Sequence, residues 1–161
     1  MTTVREELEV AFLEDHRLLT TGLERIAAAL ANDDLETAIE AADVVDQNVG
    51  PHMRFEEEEY YPRLRSLLGD AFVNQLYHEH GEGQEAIRRL VSAGHGNTLS
   101  PSAREEVAGL VKTALEHALS CGTLLSHLGS FDESEQRLLG ERLDALRRLG
   151  TRWTEGVGTT G

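Results

Sequence analysis

Six polar residues stand where the chain's hydrophobic patterning leaves room only for apolar ones. They are His16, His52, Glu56, His80, His117 and Cys121. Reading inward-facing positions at three- and four-residue steps, the first run passes 12, 16, 19 and 23 with His16 among them. A second passes 45, 49, 52 and 56 and places His52 and Glu56 one turn apart on one face. A third passes 72, 76, 80, 83 and 87 through His80, and a fourth passes 114, 117, 121 and 124 through His117 and Cys121. A single histidine on such a face is ordinarily a core residue with a satisfied partner. Four together, with a carboxylate and a thiol, would cost about 1–3 kcal/mol for each group buried unpaired. A bound cation removes that cost. Imidazole, carboxylate and thiolate donors suit iron, manganese or zinc, whereas calcium and magnesium prefer all-oxygen shells.

The elements that must carry these residues are helices. Leu8, Phe12, Leu19, Leu23, Ile26 and Leu30 define an amphipathic helix over about 3–31. Asn32-Asp33-Asp34 caps a second, carried by Leu35, Ile39, Ala42, Val45 and Val49 and resuming to Leu64 and Leu67, with a kink or break expected at Gly50-Pro51. Gly69-Asp70 makes a turn into a third helix, about 71–93, with Phe72, Leu76, Ile87 and Leu90 inward. The fourth opens at Ser100-Pro101, with Ser102 and Glu105 as a capping box, and its stripe runs Val107, Leu110, Ala114, Leu124 and Leu128. A shorter helix over 132–149 turns Leu139, Leu143 and Leu146 inward. Four long helices with short connections indicate an all-α, up-down-up-down four-helix bundle with an additional short C-terminal helix. Residues 1–150 form one domain in this reading, and 151–161 a flexible tail with nothing to bury.

Antiparallel neighbours should sit at similar distances from the turn that joins them. Counted from turns at 32, 69 and 97, the polar positions on adjacent helices differ by two to four residues. At ~1.5 Å per residue that is roughly 3–6 Å, so the six fall in one layer.

At this point the sequence resembles the hemerythrin-like, or HHE cation-binding, family. The likeness rests on Asp15-His16-Arg17, on His52-Met53-Arg54-Phe55-Glu56-Glu57-Glu58 leading to Tyr60-Tyr61-Pro62, on Glu79-His80, and on His117, and covers about residues 5–128. It implies that His16, His52, His80 and His117 are terminal metal ligands and that Glu56 is a carboxylate able to bridge two irons. Where the family's fourth helix usually supplies a second carboxylate, this chain has Cys121, and one turn either side of His80 it has Leu76 and Gln84. A diiron centre and a diverged site with one iron or one zinc therefore both stand open, with Cys121 a ligand or a packed thiol. Glu57 or Glu59 could supply a missing ligand if a kink rotates the helix; otherwise Glu57, Glu58 and Glu59 form a solvated face. His78, His95 and His127 fall off the stripes and read as surface residues.

Composition narrows the partners. With 40% hydrophobic and 27% charged residues the chain can bury a core, and a net charge of −14 opposes nucleic acid and anionic lipid alike. One cysteine excludes an internal disulfide, and no run approaches the ~20 apolar residues of a membrane span. A charged N-terminus gives a cytoplasmic location as the default. The leading expectation is a non-haem metal-binding protein, with iron the first choice, that binds or senses dioxygen, nitric oxide or iron. The alternatives are a redox enzyme acting on peroxide or nitric oxide at the same site, with iron as redox centre and Cys121 able to cycle through a sulfenic acid, and a metal-free helical module that self-associates, as a homodimer for example, through 132–149.

Overall fold

A computed structural model describes residues 1–155. Among these residues every regular element is helical. Helix α1 spans Val4–Ala31 behind a capping box in which Thr3 and Glu6 exchange side-chain and backbone bonds. Helix α2, Leu35–Phe55, starts on the Asp34 carboxylate, which accepts from the Thr37 amide. After a wide π turn over Glu56–Tyr60 the chain continues as α3, Tyr61–Leu68. Helix α4 is Asp70–Gly94 and α5 is Pro101–Cys121, followed by 3₁₀ turns over Gly122–Ser130. Helix α6, Glu133–Leu149, has its own capping box at Asp132 and Glu135 and ends on Gly150 in the left-handed conformation.

Helix α1 packs on α2 and α5, and α4 packs on the same two from the other side. Two apolar clusters fill the space between. One holds Leu19, Leu23, Ile26, Val45, Ile87 and Leu90, and the other Leu8, Phe12, Phe55, Tyr60, Leu64 and Leu139. The polar layer lies where the two clusters meet, since Met53 belongs to the first and Phe55 to the second. Helix α6 lies along α1 and α2 with Leu139, Leu143 and Leu146 buried, as its stripe required. No helix among the described residues is long and apolar enough to cross a membrane.

Five expectations need correction. Pro51 does not break α2, which runs on through it to Phe55, and the irregularity comes at Glu56–Tyr60. There the Tyr61 amide donates to the Glu56 carbonyl five residues back, an extra residue in the turn that brings Tyr60, Tyr61 and Leu64 inward and leaves Leu67 exposed. On α4 the buried residue of the first turn is Val73, and Phe72 faces out. Ser100 caps α5 ahead of Pro101 as expected, accepting from the Ala103 amide, but Ser102 and Glu105 do not form the expected capping box. The tail expected to be flexible from 151 onward is docked as far as it is described. Trp153–Glu155 forms a 3₁₀ turn with Trp153 buried, because Asp46 on α2 receives the Thr154 amide and hydroxyl. The rest of that tail, 156–161, lies outside the described residues.

Candidate metal centre

Each of the bundle's long helices brings its polar residue to the interior. His52, Glu56, His80, His117 and Cys121 are buried and His16 is half-buried. On α2 the i, i+4 spacing sets Nε2 of His52 2.6 Å from Oε1 of Glu56, close but out of line for a hydrogen bond. His16 on α1 faces His52 with ring centroids 6.4 Å apart, and His80 on α4 faces His117 on α5 at 5.0 Å. Glu56 joins the two pairs. Its Oε2 accepts from the Cys121 thiol at 3.4 Å, and the Tyr61 hydroxyl lies 3.9 Å from that sulfur and 2.8 Å from Nε2 of His80.

A carboxylate stands behind three of the four imidazoles. Asp15 lies 3.4 Å from Nδ1 of His52, Glu57 lies 3.3 Å from Nδ1 of His80, and Glu79 binds Nδ1 of His117. The hydrogen bonds at His80 and His117 orient those rings, as around histidines that ligate metals, while Asp15 meets His52 as an ion pair. Asp15 is in turn held by Arg147 of α6 at 2.9 Å.

Burial and charge act in opposite senses along this chain of groups. Burial disfavours a charged His52, yet Glu56 and Asp15 outweigh it and raise its pKa to about 9. Burial likewise opposes the Glu56 carboxylate, but His52, His80 and Tyr61 hold it well below the usual carboxylate range. His16 and His117 are shifted down, mainly by burial, and so tend to stay neutral. Burial beside Glu56 pushes the Cys121 thiol and the Tyr61 phenol up, which keeps both protonated.

The donor set fits a transition metal on one observation above all: Nε2 of His16 and Nε2 of His117 are buried without a hydrogen-bond partner. Such orphans are rare in folded proteins and cost about 1–3 kcal/mol each. Among the described residues, however, no three His, Cys, Asp or Glu side chains stand in metal-holding geometry. Their polar atoms form a layer of two histidine pairs rather than a finished cage.

The model of the hemerythrin HHE cation-binding domain matches residues 9–120. The chain belongs to that family. The HHE match includes His16, His52, Glu56, His80 and His117 and ends at residue 120, one before Cys121. No curated protein and no solved structure matches the chain.

The HHE domain also brings further acids to the layer. Of the two readings open for Glu57, the inward one holds in part: the π turn, rather than a kink at Pro51, rotates it to His80, and its carbonyl accepts from the Tyr77 hydroxyl. Glu59 is tied to Arg63 and to Arg142 of α6, and stands away from the histidines. Asp15 and Glu79 were visible only as the acids preceding His16 and His80. Each serves the histidine of a neighbouring helix instead. His78 and His95 are exposed and His127 half-buried, none of them in the layer.

Proposed function

We propose that this HHE domain is a non-haem metal-binding protein whose histidine layer, in an up-down-up-down bundle, holds iron and binds or senses dioxygen, nitric oxide or iron supply. The reading is carried by the buried, unpartnered Nε2 atoms of His16 and His117, which face the interior beside the Glu56 carboxylate that His52 and its neighbours keep ionised. His16, His52, Glu56, His80 and His117 are the ligands in this reading, with Cys121 an additional donor. Bound there, iron supplies a redox-active Lewis acid with positions for a small ligand.

The chain's own residues do the rest. Asp15, Glu57 and Glu79 orient the imidazoles. Tyr61 keeps a proton between His80 and Cys121. Phe12, packed 4.5 Å from His52, and Phe55 help to exclude water. With Cys121 in place of a second carboxylate, Glu56 is the one bridging group of the family pattern that remains, so one metal or an asymmetric pair fits the donors better than a doubly carboxylate-bridged pair. The same burial that protonates Cys121 weighs against a peroxide enzyme that cycles this sulfur through sulfenic acid, because the thiolate is the nucleophile. A lone, free, buried thiol suits a reducing compartment, and we take the cytoplasm as its place.

Anaerobic loading with Fe(II), followed by exposure to air or nitric oxide, tests this function. New charge-transfer absorption in the native protein and none in His52→Ala is expected. An Fe(II)-loaded spectrum indifferent to both gases would overturn the gas-binding role.

A further inference from the structure

The segment 151–155 contributes the chain's single tryptophan to the bundle interior. Trp153 enters about one helical turn from the histidine layer, as its neighbours show. Its ring lies against Gly83, three residues beyond His80 on α4, where Ala114, three residues before His117 on α5, is also close. Three residues of helix is about 4.5 Å. The backbone of the segment crosses α2 at Gly50, two residues before His52. A Cβ on Gly50 would collide with the Thr151 carbonyl oxygen and come within 2.7 Å of the Trp153 nitrogen, and one on Gly83 would meet the indole at 2.9 Å. Two helices thus lack side chains at the places where this segment lies, next to two of the proposed ligands.

The attachment is polar and local. Asp46, fully buried on α2, accepts from the Thr154 amide at 2.8 Å and its hydroxyl at 2.9 Å, while Arg152 reaches Asp43 at 2.9 Å and Asp46 at 3.3 Å. Gln84 donates to the Trp153 carbonyl at 2.8 Å. Against this, the indole N–H is buried with no partner, which works against docking. A short segment held by one buried ring and a few side-chain bonds opens more readily than a helix of the bundle.

We propose that 151–155 is a gate for the histidine layer: docked, Trp153 plugs the bundle beside His80 and His117, and its release opens the route by which the metal ion exchanges. This inference rests on the metal-binding reading above.

The test is the rate at which Fe(II)-loaded full-length protein gives up its iron to an excess of a coloured Fe(II) chelator, without oxygen. Trp153→Ala removes the plug, Gly50→Ala displaces its backbone without touching it, and Thr154→Val removes one bond to a carboxylate. Each should release iron faster with unchanged iron per chain, Thr154→Val by about tenfold, the effect of losing one charge-assisted anchor. Trp153→Phe, which keeps a ring and removes the orphaned N–H, should restore release to the native rate or slower. A purely structural role would lower iron content and melting temperature together without that rescue. If Trp153→Ala does not fold, the other two variants decide. Native release rates in every folded variant overturn the gate and leave the metal site standing. Failure of the native protein to take up Fe(II) overturns the metal reading, and the gate with it.

Discussion

The Asp15 carboxylate precedes His16 in the chain yet lies 3.4 Å from Nδ1 of His52 on the neighbouring helix. The Glu79-His80 pair repeats the relationship, with Glu79 on Nδ1 of His117. Each acid-histidine dipeptide therefore contributes one imidazole to the layer and orients another, so helices α1 and α2, and likewise α4 and α5, share responsibility for each side of the site.

Removing these carboxylates while keeping their shape should weaken the metal more than the fold. Asp15→Asn and Glu79→Gln are each expected to lower metal affinity by about 10–100-fold, the usual cost of losing the group behind a ligating histidine. Competition against a chelator of known affinity measures it. Native affinity in both variants would show that the contacts do not orient ligands.

His52→Ala should remove most of the bound metal, since it deletes the donor between His16 and Glu56 and leaves the Glu56 carboxylate buried without its nearest cationic partner. Elemental analysis of the purified variant, folded by circular dichroism, provides the check. Full occupancy would exclude His52 as a ligand.

For metal-free protein the pH profile of stability follows from the shifts in opposite directions. His52 is raised to about 9, so its contribution is complete below the ordinary value of 6.5 and is lost as pH rises through about 9. It faces Asp15 from α1, and Arg147 from α6 holds that carboxylate. His16 and His117 are lowered, so the unfolded chain takes up protons below 6.5 before the folded one does, and stability falls with pH there. Glu56 adds a further loss below its ordinary value of 4.5. Urea unfolding of chelator-treated protein should therefore show a maximum near neutrality, and His52→Ala should flatten the alkaline limb. An alkaline limb unaffected by that substitution would contradict the assignment.

Cys121 should be inert in the folded protein. Its thiol is buried, donates to Glu56 and is held protonated, so a thiol-specific reagent should modify it at least about a hundredfold more slowly than in the urea-unfolded chain. Comparable rates would mean an open, reactive sulfur.

The helices and the polar layer were legible because a 3.6-residue period ties sequence spacing directly to a face, and equal distances from a turn tie faces to a height. Four histidines recurring in four apolar stripes could be read that way. Pro51 was misleading: a missing amide need not break a helix that tertiary packing holds on both sides. The real irregularity, at Glu56–Tyr60, involves no glycine or proline, and the one-residue slip it introduces turns Glu57 to His80 and leaves Leu67 outside, where an unbroken stripe puts it inside. Trp153 escaped for a different reason. Its segment is too short to show a period, and what holds it is Asp46, more than a hundred residues away in the chain. Gly50 had a signal, a glycine inside a helical stripe, but its meaning depends on the backbone that crosses it.

The most direct measurement is metal content per chain on protein purified without a histidine tag, taken together with melting curves before and after chelation. The account predicts iron at about one or two equivalents and a clear fall in melting temperature when it is removed, because the buried Nε2 atoms of His16 and His117 then lose their partner. Metal-free protein that takes up no added iron, melting identically with and without chelator, would contradict it.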